Sequence, residues 1–125
     1  MKELHKVSFD EDAGIVLVRI VGSAIHEEHC AARDEAVRLC QDKRCSKLLV
    51  DLRELATERS STMSCFSFGE SLAGVPLRLR IAHVLPADAG SAKDVKFTSA
   101  VEANRGQLTG EFNTVEEARQ WLLQE

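Results

Sequence analysis

The chain has 125 residues, 44% hydrophobic and 29% charged, and a net charge of −4. That length and balance suit one globular domain that can bury a core without staples. The negative charge argues against a grip on nucleic acid by phosphate neutralisation and against a polybasic membrane patch, since both need a basic face.

The opening Met1-Lys2-Glu3-Leu4-His5-Lys6 holds no apolar signal core, so a cytoplasmic protein is expected. The longest apolar run, 15–18, is far too short to span a bilayer. The four cysteines, Cys30, Cys40, Cys45 and Cys65, form no Cys-x-x-Cys pair, and free thiols are expected.

Residues 4–10 alternate weakly and read as a strand, 11–14 as a turn, and the β-branched 15–21 as a second strand. The short turn implies an antiparallel hairpin. Gly22-Ser23 opens a helix, with Ser23 as its cap and Glu27 and Glu28 in the first turn, where the dipole favours acids. Ile25, His29, Ala32, Ala36, Leu39 and Cys40 share one face, and the helix ends within 42–44.

Residues 46–52 form the next strand. Ser60-Ser61-Thr62 caps a helix to about residue 73, stopped by Gly74-Val75-Pro76. Residues 79–85 are a central strand, 87–91 a loop, and Ser91 the cap of a helix to 104. Arg105-Gly106 ends that helix, and 107–112 is a short strand. Thr114-Val115-Glu116-Glu117 is a capping box in which the Glu117 carboxylate reaches the Thr114 amide. Val115, Ala118, Trp121 and Leu122 then make a buried stripe. The order ββαβαβαβα predicts an α/β domain, with a mixed, mostly parallel five-stranded sheet covered by four helices.

Three stretches carry a family resemblance. They are the apolar strand entering Gly22-Ser23, the strand Leu48-Leu49-Val50-Asp51-Leu52, and the closing Phe112-Asn113-Thr114-Val115-Glu116-Glu117-Ala118-Arg119-Gln120-Trp121-Leu122. Together they resemble the SpoIIAA-like branch of the STAS domains, which takes in anti-sigma factor antagonists and the cytoplasmic tails of sulfate transporters. The resemblance implies a regulatory module. In classical antagonists an Asp-Ser pair caps the helix after the Asp-Leu strand, and its serine is phosphorylated. Ser60 and Ser61 fall near that place, with Arg59 where the Asp would stand and Thr62 where a Gly usually follows. The resemblance therefore implies Ser60 and Ser61 as the regulatory hydroxyls. Plain N-capping is the simpler reading of the same residues.

Other clusters read more readily as structure. His26, His29 and Cys30 have spacings at which two could share a metal, but no further ligands are evident and the pattern is not His-Glu-x-x-His. No metal or cofactor is expected. Asp51 ends a central strand, where open α/β sheets place ligands, so it marks a polar site. A phospho-acceptor role with Asp10 and Asp12 lacks the lysine such a site needs, and capping of loop amides is favoured. His83 lies in an apolar strand with no nucleophile motif beside it.

The helix over 61–73 shows two apolar faces, Met63/Phe66/Ala73 and Cys65/Phe68/Leu72; Phe97 and Val101 oppose Ala92, Val95 and Ala103 on the next helix in the same way. Such a second face packs beneath a neighbouring element or, left exposed, binds a protein partner, a second copy or an apolar ligand. The sequence thus favours a non-enzymatic binding or regulatory module. It would act as a homodimer or on a regulatory protein through Phe66, Phe68 and Leu72. A carrier of a lipid-like molecule, with a pocket lined by Phe68, Leu72, Phe97 and Val101, is the alternative. A phosphoserine-switched antagonist is a further one, and an enzyme using Asp51 or His83 ranks last.

Overall fold

The structure, a computed structural model, describes residues 5–20, 26–54, 78–87, 89–104 and 108–124. Five strands form one sheet: β1 (His5–Asp10), β2 (Ile15–Ile20), β3 (Lys47–Asp51), β4 (Arg80–Val84) and β5 (Leu108–Phe112). Three helices are present among the described residues: α1 (His26–Lys43), α2 (Ala89–Asn104) and α3 (Val115–Leu123). The helix expected over 61–73 lies outside the described residues, as do the Gly22-Ser23 opening of α1 and the Arg105-Gly106 stop.

The strands stand in sequence order, β1-β2-β3-β4-β5. β1 is antiparallel to β2, and β2 to β5 run parallel. The hairpin loop is closed by the Gly14 amide donating to the Asp10 carbonyl at 2.8 Å, with Gly14 at φ +69. The Asp10 side chain accepts from the Asp12 and Ala13 amides, an arrangement that local Asp hydrogen bonding favours in turns.

Parallel strands laid down in one direction need right-handed crossovers, which put the crossing helices on one face. α1 and α2 obey this. Ala32, Ala36 and Cys40 of α1 and Val95 of α2 are buried with Val16, Val18, Leu48 and Ile81 in one core. α3 follows β5 and crosses to nothing, so it can take the other face. There Ala118 and Leu122 pack with Ile15, Leu49, Ala82 and Val84. Full burial of one such Leu contributes about 2 kcal/mol. β2 is apolar on both sides over its first four residues, where Val16 and Val18 meet the core of α1 and Ile15 meets the core of α3, with Leu17 partly buried against it. β1, an edge strand, keeps only Val7 and Phe9 on the core of α1.

α1 ends in a Schellman motif. The Cys45 amide donates to the Cys40 carbonyl at 2.8 Å and the Arg44 amide to the Gln41 carbonyl at 3.3 Å. Arg44 takes the left-handed φ of 51 that glycine usually supplies. The motif brings the Cys40 and Cys45 thiols close together. Burial, with the Cys45 thiol beside it, pushes the Cys40 thiol up to about 12. Cys45 donates to the Gly14 carbonyl at 3.0 Å, tying the end of α1 to the hairpin turn. Both thiols are free.

α3 starts at the capping box. The Thr114 hydroxyl oxygen accepts from the Glu117 amide at 3.1 Å, a cap worth about 1 kcal/mol. The return contact differs from expectation: Glu117 Oε1 meets the Thr114 hydroxyl at 3.1 Å. The hydroxyl proton is the shorter reach for that carboxylate. Ser91 also differs from the sequence expectation. α2 begins at Ala89, so Ser91 lies within its first turn and is not its cap; helix-forming Ala89 extends the turn backwards.

Trp121 lies half-buried beside Phe112, with ring centroids 5.4 Å apart. Gly110 lets the two rings close over β5, since a Cβ there would sit 3.0 Å from the Phe112 ring. The Arg80 guanidinium stacks 4.3 Å above the Trp121 ring and donates to the Trp121 carbonyl at 2.6 Å.

Candidate functional site

α3 has nine residues and lies over β4, β3 and β5. Among the described residues no helix covers β1 and β2 on that face. Strand alternation sends Lys6, Ser8 and Asp10 of β1, and Leu17 and Arg19 of β2, to the uncovered half. The result is a groove of about 310 Å³ between β1, β2, β3 and α3. Leu17 and Leu49 form its floor, Ser8 its outer side, and Val115 and Arg119 of α3 its wall. Lys6, Arg19, Asp51 and Arg53 stand around its upper end, at the carboxyl ends of the parallel strands.

Register explains why those charges meet. Lys6 is directly opposite Arg19, and Arg19 is beside Asp51, so three charged side chains cross three strands in one row. Arg53 folds back onto Asp51. Its Nε donates to Oδ1 at 3.0 Å and its second guanidinium nitrogen to Oδ2 at 2.9 Å. The Arg53 amide adds a bond to Oδ1 at 3.2 Å. Desolvation raises the Asp51 carboxyl, whose side chain is 13% exposed, but the Arg53 hydrogen bonds and the Arg53 and Arg19 charges outweigh it. The carboxyl is held below its ordinary value of 3.8.

Arg19 pairs with Glu54 at 2.6 Å, with both side chains more than half exposed. Such a pair contributes little net stability and is readily exchanged. At the other end of the groove Arg119 pairs with Asp10 at 3.1 Å. The Ala13 amide and the Arg119 guanidinium hold the Asp10 carboxyl below its ordinary range. Lys6 is exposed and has no ion pair among the described residues.

Chemically, Asp51 is a poor general base. Both its oxygens are engaged and its proton affinity is lowered. His83 is buried at 3% exposure and lies between Ala82 and Val84 on β4. By alternation it shares the face of Ile81, under α1 and α2. Asp51 faces α3. The two residues that sequence singled out for catalysis therefore stand on opposite faces of the sheet. Among the described residues, no three His, Cys, Asp or Glu side chains gather as a metal-ligand set, and no described helix is long and apolar enough to cross a membrane.

Of the residues picked from sequence, Asp51 lies in the groove. Ser60, Ser61, Phe66, Phe68 and Leu72 lie outside the described residues. Phe97 is in α2, and His26, His29 and Cys30 are in the first turns of α1, but their side chains lie outside the description. Val101 is buried at 7% exposure, about a third of a turn from buried Val95, so α2 is packed on more than one side. Sequence reading passed over Lys6, Ser8, Leu17, Arg19, Arg53, Val115 and Arg119. The signal for them was the polar alternation Lys6/Ser8/Asp10 in β1 and the single charge, Arg19, interrupting β2.

No protein-family model matches the chain, and no curated protein matches it.

Proposed function

We propose that the chain is a non-enzymatic binding module and that it binds in the groove beside α3. The observation that carries this is the placement of α3 over β3 to β5, which leaves the β1–β2 half of that sheet face uncovered by any helix among the described residues. Ligands of open α/β sheets gather at the carboxyl ends of parallel strands, where Lys6, Arg19, Asp51 and Arg53 stand. The commitment of Asp51 to Arg53, and the separation of Asp51 from His83 by the thickness of the sheet, favour binding over acid–base chemistry. The strand and helix order is compatible with the STAS resemblance, and a regulatory role on a protein partner or a second copy of the chain follows from it. The carrier reading draws on the apolar floor formed by Leu17 and Leu49.

The test is native mass spectrometry of freshly purified protein, repeated on Ser8→Trp, whose indole fills the groove. A second component held in the native spectrum, lost on denaturation and lost in Ser8→Trp, is the expected result. A bare monomer in both proteins, or a complex indifferent to Ser8→Trp, would refute the reading.

A further inference from the structure

Resting on that reading, we infer that the groove takes a small monoanionic carboxylate with an apolar body. Its head would sit between Lys6 and Arg19, and its body on Leu17, Leu49 and Val115. The first support is register. Lys6 and Arg19 are direct cross-strand partners, with Cβ atoms roughly 5 Å apart in such pairs, and like charges so placed destabilise a sheet. An anion between them converts repulsion into attraction on both sides.

The second support is charge complementarity along the groove. Arg53 is satisfied by Asp51, Arg119 by Asp10, and Arg19 by Glu54. Lys6 is the cation left over among these described residues, so the groove calls for one negative charge. The Arg19–Glu54 pair is exposed on both sides, and Arg19 can trade it for an incoming carboxylate at small cost. The Arg53–Asp51 pair is bidentate and its carboxylate is only 13% exposed, so it stays in place and fences the head from the far side.

The third support is the floor. Half-buried Leu17 supplies the apolar surface of the floor, and Leu49, at 1% exposure, closes it from beneath. Below the charged row Leu17, Leu49 and Val115 give the groove an apolar stretch, bounded by the Ser8 hydroxyl and by Arg119, whose charge is taken up by Asp10. Its volume of about 310 Å³ lies at the lower end of small-molecule sites, roughly 300–1,000 Å³. A medium-length acyl carboxylate matches that size and polarity, and a bare inorganic anion leaves the floor unused.

The experiment is a titration followed by ¹H–¹⁵N correlation spectra of the full chain, with octanoate as the probe and octan-1-ol, acetate and inorganic phosphate as comparators. Octanoate should shift the amides of Lys6, Ser8, Leu17, Arg19 and Val115 saturably, and bind at least ~10-fold more tightly than each comparator. Lys6→Gln, an exposed change that leaves the fold intact, should weaken octanoate ~5- to 10-fold and leave octan-1-ol unchanged. The inference falls if octanoate gives no saturable shift, if its shifts lie outside the groove, if octan-1-ol or phosphate binds as tightly, or if Lys6→Gln has no effect. Loss of octanoate binding alongside a native complex that Ser8→Trp abolishes would remove the ligand class only. Loss of both would remove the groove as a binding site.

Discussion

Arg80→Met isolates the contact that holds the end of α3 to the sheet. Arg80 donates to the Trp121 carbonyl at 2.6 Å, in the last turn of α3, and stacks on the Trp121 ring at 4.3 Å. A hydrogen bond from a charged donor contributes about 1.5–3 kcal/mol, and a partly desolvated cation–π contact about 1 kcal/mol. Two features of the structure reduce the loss. The Arg80 Nε is buried with no hydrogen-bond partner among the described residues, so its removal returns about 1 kcal/mol. The Trp121 carbonyl also keeps the Gln124 amide at 3.3 Å, and the Met side chain keeps an apolar cover over the ring. The net expectation is a loss of about 1–2 kcal/mol, or a Tm lower by roughly 3–8 °C for a domain of this size. Trp121 is the only tryptophan in the chain, so its fluorescence reports this contact alone while far-UV circular dichroism reports the whole fold. Arg80→Lys should fall between the two, keeping the charge and losing the flat stack. A Tm for Arg80→Met within about 1 °C of the parent, with unchanged tryptophan emission, would refute the role given to Arg80.

Asp51→Asn tests the bidentate Arg53–Asp51 ion pair through pH. The folded-state carboxyl is held below 3.8, so its contribution is fully present above the ordinary carboxylate range and fades as pH falls through the folded value. Urea midpoints of parent and variant should therefore differ near neutral pH and converge as pH falls below the ordinary carboxylate range; a gap that does not change with pH would contradict the pairing. Arg44→Gly relieves the left-handed φ of 51 at the end of α1. It should stabilise the protein by about 0.5–1 kcal/mol, after the extra freedom glycine gives the unfolded chain, and a lower Tm would show that Arg44 contributes something other than strain.

The fold was legible where one local rule decided each element. The β-branched run of β2, the Ala32/Ala36/Cys40 stripe and the Thr114 cap each follow from a few adjacent residues. Boundaries drifted where competing residues lay side by side, as at Ala89 and Ser91. The groove was legible only at Asp51, because its other residues are brought together by register. Lys6 and Arg19 are thirteen positions apart in sequence but directly opposed in space, and which charges meet changes with a one-residue slip. Arg119 joins them only because α3 takes the second face. That choice depends on the direction in which the strands were laid, not on any residue of α3 itself.

The Schellman end of α1 turns Cys40 into an internal clock. Its thiol is buried at 1% exposure and holds its proton up to about 12, so almost none is reactive thiolate in the closed state at neutral pH. Modification by an aromatic disulfide reagent must then wait for the Cys40–Cys45 turn to unwind. The rate becomes the intrinsic thiol rate multiplied by the fraction of time that turn is open. Because Cys45 also bonds the Gly14 carbonyl, the same opening frees the hairpin that carries Lys6 and Ser8. A slowing of Cys40 labelling when the groove is filled would thus measure, from the opposite face of the sheet, how firmly an occupant holds β1 in place.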